Sequence, residues 1–110
     1  MALNKKNRLK KKLDFEDVFR KGRAVKGSFL FIKYKKTTLG IARFGFVVST
    51  KVAKKAVERN KVRRILSETV RSVLNDFRSH DIIVYVTKKI VTAQKKDLIE
   101  DFMKVLKKIQ

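Results

Sequence analysis

Residues 43–88 decide the fold, and they have the sequence RFGFVVSTKVAKKAVERNKVRRILSETVRSVLNDFRSHDIIVYVTK. The segment 43–50 is rich in β-branched and aromatic residues and predicts a strand, and the continuous apolar run 81–88 predicts a short central strand. Between them, apolar residues recur at steps of three and four, which predicts an amphipathic helix over 56–77. A helix between two strands indicates a domain of the mixed α+β class.

A short helix is predicted before this segment. Asp14 is its expected N-cap, and Gly22 follows two basic residues as its expected end. The side chains of Phe15, Val18 and Phe19 recur at helical spacing and form one aromatic stripe.

Two further elements complete the domain. Residues 28–35 (SFLFIKYK) predict a strand antiparallel to 43–50, because the connection is short. Residues 95–110 carry apolar side chains in helical register and predict the last helix. The order α-β-β-α-β-α predicts a single α+β domain over 14–110, a sandwich of a small sheet and helices, preceded by a basic flexible arm over 1–13.

The composition limits the class of function. The 110 residues include 30 Lys+Arg and 10 Asp+Glu, which gives a formal net charge of +20. Such a charge predicts a polyanionic partner, with nucleic acid first and an anionic membrane surface second. The chain has no cysteine, which excludes disulfides and Cys-ligated metal sites. Because we find neither a spanning apolar run nor a secretory signal, we expect a cytoplasmic protein.

The basic residues of the long helix are concentrated on one side. At 100° per residue, Asn60, Arg64, Ser67 and Arg71 lie within an arc of about 60°, with Arg63 at the border. Arginine can donate two hydrogen bonds to one phosphate, and asparagine can bond sugar, base or backbone. The density of this pattern favours an RNA-binding surface over a solvated basic face.

The aromatic residues have two possible uses. Strand 28–35 places Leu30 on the face expected to meet the core and Phe31 with Lys33 on the other face. An aromatic ring beside a cation suits single-stranded nucleic acid, whose bases stack while its phosphates meet lysine. Phe15, Phe19 and Phe31 can equally fill a core. We expect four other phenylalanines in the core, namely Phe44, Phe46, Phe77 and Phe102.

No arrangement of residues predicts catalysis by the chain itself. Ser79, His80 and Asp81 include the residue types of a triad, but consecutive residues before a strand rarely hold triad geometry. Glu100 and Asp101 fall near a predicted helix start, where the helix dipole explains them. We therefore predict no catalytic residue and no metal ligand in this chain.

Several motifs together point to a known family. They are Asn7-Arg8-Leu9-Lys10, Asp14-Phe15 with Val18-Phe19 and Gly22, Val47-Val48-Ser49, Asp81-Ile82-Ile83-Val84, and above all AVERNKVRR at 56–64. In these motifs the chain resembles the protein subunit of bacterial ribonuclease P, the ribonucleoprotein that removes the 5′ leader from precursor tRNA. The segment 56–64 is similar to the Arg-Asn-Arg signature helix of that family.

The resemblance implies a fold and a division of labour. The fold has a central sheet, helices packed on one side and a left-handed βαβ crossover, as in a domain of a small-subunit ribosomal protein. The RNA subunit would catalyse hydrolysis of a phosphodiester and leave a 5′-phosphate on the tRNA. Mg²⁺ would be the cofactor, bound mainly by the RNA subunit and by substrate phosphates.

The resemblance also implies partners and site residues. The partners would be the catalytic RNA and precursor tRNA, with no obligate protein partner. A cleft for the single-stranded leader would be lined by Phe15, Phe19, Phe31 and Lys33. The catalytic RNA would be bound by Lys51, Lys54, Lys55, Arg59, Asn60, Lys61, Arg63, Arg64 and Arg71. The alternative hypothesis is a stand-alone RNA-binding or ribosomal protein without a role in cleavage.

Overall fold

The computed structural model describes residues 3–87 and 94–109. Its helices and strands are α1 (Lys12–Lys21), β1 (Arg23–Lys26), β2 (Leu30–Lys36), β3 (Ala42–Val47), α2 (Ala56–Arg71), β4 (His80–Val86) and α3 (Lys95–Lys107). All six predicted elements are present. The additional strand, β1, escaped prediction because it has four residues and little apolar pattern. Lys88 and Gln110, the last residues of two predicted elements, lie outside the described residues.

The four strands form one sheet in the order β1-β2-β4-β3. Strand β4 is antiparallel to β2 and parallel to β3, so β3, α2 and β4 form a parallel crossover. Strands β2 and β3 run in opposite directions, as predicted, but β4 lies between them. The central position suits β4 because Ile82, Ile83 and Val84 are fully buried, which covers both of its faces.

The two long helices, α2 and α3, pack on one side of the sheet, as predicted. The buried Leu30 and Ile32 of β2 belong to the large core on this side, which confirms the predicted facing of that strand. Phe44, Phe77 and Phe102 are buried in the same core and Phe46 packs against it, so all four predicted core phenylalanines are confirmed.

Helix α1 lies across the opposite face of the sheet. Its Val18 forms a second, smaller cluster with Leu9 and Ile83, and Phe15 packs against that cluster. The backbone of β3 comes so close that a Cβ at Gly45 would lie 2.5 Å from the Phe15 ring. Glycine at this position is therefore needed for α1 to approach the sheet.

Helix α2 ends at Arg71, so the predicted continuation to Phe77 is wrong. The hydroxyl groups of Thr69 and Ser72 donate to backbone carbonyls one turn earlier, which competes with the helical pattern. The chain leaves the helix at Val73, where φ is −123°. A 3₁₀ turn over Leu74–Phe77 then places the Phe77 ring in the core.

The N-terminal segment differs from the expected flexible arm. The Asn7 side chain and the Leu9 backbone donate to carbonyls of β3 at 2.8 and 2.9 Å, and Leu3 and Leu9 are buried. This segment covers the edge of β3, which would otherwise expose unpaired backbone groups. Helix α1 begins at Lys12, so Asp14 lies in its first turn rather than at the N-cap.

The buried Asp101 joins α3 to the turn between β1 and β2. Its carboxylate accepts the backbone N–H groups of Ser28 and Phe29 at 2.8 and 2.9 Å. Asp101 is the seventh residue of α3, so the prediction that it compensates a helix dipole is wrong. The carboxylate instead satisfies two backbone donors of the turn.

Candidate nucleic-acid interface

One side of α2 presents exposed basic and polar side chains, which we call the basic ridge: Asn60, Arg64 and Arg71. Ser67, which the helical projection placed among them, is fully buried and donates to the Arg63 carbonyl at 2.7 Å. Including Ser67 in this surface was therefore wrong, because the core side of the helix extends further than the apolar stripe indicated. Arg64 and Arg71 form no ion pair with a carboxylate of the described residues.

Two arginines of the signature segment make contacts within the protein. Arg59 donates through Nη1 to the carbonyls of Ala53 and Lys54 at 2.9 and 2.8 Å, which fixes the loop before α2. Arg63 is half-buried and donates to the Asn60 amide oxygen at 3.0 Å. Both guanidinium groups retain other donors that these contacts do not use.

The start of α2 is surrounded by lysines. The N-cap residue, Lys55, makes no side-chain hydrogen bond to the helix. Lys51, Lys54 and Lys61 are exposed near the same end. Because the first N–H groups of a helix carry partial positive charge, cations at this position leave a strongly electropositive end.

On the opposite face of the sheet, three rings form an aromatic platform: Phe19, Phe31 and Tyr85. Phe31 and Tyr85 are partners across β2 and β4, and their rings stack at 4.7 Å with an interplanar angle of 8°. Phe19 meets Tyr85 edge-on at 6.2 Å and is 53% exposed. Burial raises the pKa of Tyr85 above its ordinary value.

Lys33 lies beside the aromatic platform, whereas Phe15 lies beneath α1. The Lys33 ammonium is 3.5 Å from the centre of the Phe19 ring and donates to the Phe19 carbonyl at 3.2 Å. Phe15 is half-buried against Gly45 and the small cluster under α1. The structure thus brings Phe19, Phe31 and Lys33 together and places Phe15 in a packing position.

Sequence reasoning missed Tyr85 as part of this surface. Within the run 81–88, residues 82–86 carry no charged side chain, so they predicted a strand buried on both faces and gave no reason to single out one ring. Only the register of β2 against β4 places Tyr85 opposite Phe31.

Two cations between α1 and the sheet, Arg43 and Lys35, are held by carboxylates. Arg43 donates to both oxygens of the buried Asp81 at 2.8 and 2.6 Å, and these bonds raise the pKa of Arg43 above its ordinary value. Lys35 and Lys21 pair with Asp17, and their hydrogen bonds, Lys35 first, lower the pKa of that carboxyl group. Asp81 and Asp17 therefore balance the charges of Arg43, Lys35 and Lys21 within the protein, unlike those of the arginines on the basic ridge.

Comparisons with known proteins agree with this geometry. Residues 3–110 match the sequence model of the family Ribonuclease P. The chain belongs to the Ribonuclease P protein family. Among curated ribonuclease P protein components, that of Syntrophomonas wolfei is 32% identical over 96% of this chain and 89% of its own length. The ribonuclease P protein component of Azoarcus is 34% identical over 90% of this chain and 82% of its own length.

Solved structures give the same result for the fold. A ribonuclease P protein of Staphylococcus aureus superimposes with a TM-score of 0.89, covering 94% of this chain and 95% of its own, at 26% identity. Membership of the ribonuclease P protein family favours the first of our two hypotheses over a stand-alone or ribosomal RNA-binding protein. Within the described ranges, no helix is long and apolar enough to cross a membrane.

Proposed function

We propose that this ribonuclease P protein binds the catalytic RNA through α2 and holds the 5′ leader of precursor tRNA on the aromatic platform. The observation that carries the proposal is the contrast in charge pairing. Arg64 and Arg71 are exposed and unpaired with any carboxylate of the described residues, whereas Arg43 and Lys35 are paired. Unpaired arginines on a rigid helix can bind phosphates without first breaking an internal ion pair.

The aromatic platform supports the leader-binding part of the proposal. The rings of Phe19 and Phe31 are partly or largely exposed, and each base of a single strand offers a face for stacking. The Lys33 ammonium over the face of the Phe19 ring adds a positive charge for the phosphate backbone of the leader. A precursor differs from mature tRNA by its leader, so stacking there would favour precursor.

We propose that the RNA subunit performs the hydrolysis, with Mg²⁺ held by RNA and substrate phosphates. Among the residues that the structure describes, no three His, Asp or Glu side chains are grouped so that they could hold a metal ion. We therefore assign no step to an ion on this chain. Its cations would neutralise phosphates near the reaction and so help the RNA to retain Mg²⁺. The curated relatives are bacterial, and we propose that the complex acts in the cytoplasm.

Reconstitution tests the proposed function. We expect that adding the protein to bacterial ribonuclease P RNA at low Mg²⁺ accelerates precursor cleavage and tightens binding of precursor over mature tRNA. Protein and Mg²⁺ without the RNA subunit should give no cleavage. Unchanged rates and affinities on addition of protein would contradict the proposal, and turnover by RNA-free protein would contradict the division of labour.

A further inference from the structure

The N-terminal segment and the loop before β3 line an open cavity of about 350 Å³. Six cations line it: Lys5, Lys6, Arg8, Lys10, Lys11 and Arg43. The one carboxylate among the lining residues belongs to Asp14, which already faces Arg43 Nη1 at 3.4 Å. The cavity therefore has a large excess of positive charge for its size.

Arg8 is the least satisfied member of this group. Its Nε atom is buried and has no hydrogen-bond partner among the described residues. Its backbone is fixed beside Phe44 of β3, so the side chain is held at the cavity rather than on a free arm. A buried charged donor without a partner is unfavourable, and an anion bound to Arg8 at the cavity would offset that cost.

The start of α1 repeats the arrangement seen at the start of α2. The N-cap residue Lys11 makes no side-chain hydrogen bond to the helix, and Lys10 and Lys12 flank it. Cations are unfavourable beside the positive end of a helix unless an anion is bound there. At the start of α2, an N-cap lysine without a side-chain hydrogen bond and the exposed lysines near it belong to the surface that we assign to RNA binding.

We propose that this cavity, the N-terminal pocket, binds phosphodiester groups of RNA as a second contact separate from the basic ridge. The inference rests on the proposed function, since it takes RNA as the partner. The pocket lies at the start of β3, whereas α2 follows the end of that strand. The six residues of β3 span about 17 Å, so the two surfaces would hold separate segments of RNA.

The test compares two triple variants that lose the same charge. K5Q/K6Q/K10Q removes three exposed lysines of the pocket, and K95Q/K104Q/K107Q removes three exposed lysines of α3. Affinity for bacterial ribonuclease P RNA is measured by filter binding at several salt concentrations. We expect the pocket variant to bind about 10- to 100-fold more weakly, with a salt slope smaller by about 2. The α3 variant should stay within about threefold of wild type.

Two parallel measurements separate the possible outcomes. Arg64→Ala probes the basic ridge: if it weakens binding while the two triple variants behave alike, the pocket inference fails and the proposed function stands. If neither Arg64→Ala nor the pocket variant weakens binding, the proposed function fails.

An NMR titration with inorganic phosphate follows the Arg8 Nε–H signal. A phosphate-induced shift together with unchanged RNA affinity of the pocket variant would assign the pocket to free phosphate and overturn the RNA proposal.

Discussion

The cations under α1 and those of α2 are the same residue types in opposite situations. Arg43 and Lys35 contact Asp81 and Asp17, so their charge is balanced within the fold. Arg64 on α2 has no carboxylate partner among the described residues. The distribution of the few acidic residues therefore decides which cations stabilise the protein and which are available to RNA.

The largest effect is expected from removing a paired cation. Arg43→Ala would leave the carboxylate of Asp81, which is 2% exposed, buried without its partner. We expect the free energy of unfolding to fall by about 3 to 5 kcal/mol, a large part of the stability of a small domain. Urea denaturation at neutral pH measures this change.

The matched control is Arg71→Ala, which removes an exposed arginine of the basic ridge that has no ion pair within residues 3–87 and 94–109. Its free energy of unfolding should stay within about 0.5 kcal/mol of wild type. Equal stabilities of the two variants would show that the pairing with Asp81 does not distinguish the two regions.

The next effect separates two phenylalanines of α1. Phe15 packs on Gly45 and the small cluster, so Phe15→Ala should lower the free energy of unfolding by about 2 to 3 kcal/mol. Phe19 is half exposed, and Phe19→Ala should cost less than about 1 kcal/mol. Phe19→Ala should instead reduce the preference for precursor over mature tRNA by about fivefold or more, through a lost stacking partner. Denaturation and binding assays on both variants measure these changes, and the reverse pattern would make Phe15 the leader contact.

Removing an unpaired cation should affect binding rather than folding. We expect Arg64→Ala to weaken binding to the catalytic RNA by about 1 to 3 kcal/mol and to leave the urea midpoint unchanged. The slope of log affinity against log salt should also fall by about 0.7 to 0.9, the value for one phosphate contact. Filter binding over a salt series measures both quantities.

Arg78→Ala is the control for this prediction, because Arg78 is exposed and lies outside the basic ridge. It lowers the net charge by the same amount and should change the affinity by less than about twofold. If the two variants bind RNA equally, Arg64 is an ordinary solvated arginine.

Hydrophobic spacing predicted most of the fold. The runs 28–35, 43–50 and 81–88 are apolar enough to identify three strands, and the helical spacing identified three helices. The apolar run 81–88 predicted a central strand, and β4 is central. Its insertion between β2 and β3 was not predicted, because the short connection favoured direct pairing of β2 with β3. The early end of α2 at Arg71 was not predicted, because the apolar spacing continues through Val73, Leu74 and Phe77.

The candidate site was less predictable than the fold. Helical projection identified Asn60, Arg64 and Arg71 but also included Ser67, because it takes no account of how wide the buried side of α2 is. The stack of Phe31 on Tyr85 depends on strand register, which the sequence alone does not determine. The assignment of these residues to RNA contacts stays a prediction.

The smallest effect concerns the pH dependence of a paired carboxylate. Hydrogen bonds from Lys35 and Lys21 lower the pKa of Asp17 in the folded protein. The ionised carboxylate therefore contributes stability above its unfolded pKa, about 3.9, and this contribution is lost as the pH falls through the lower folded value. Asp17→Asn removes the titration, so the decline of the unfolding free energy between pH 4 and pH 2 should become shallower.

Urea denaturation at several pH values measures the decline, with Glu68→Gln as the control. That variant removes an exposed carboxylate without an ion pair among the described residues and should keep the steeper decline. If Asp17→Asn follows the wild-type curve, the pairing of Lys35 with Asp17 does not stabilise the fold, and Lys35 belongs with the cations available to RNA.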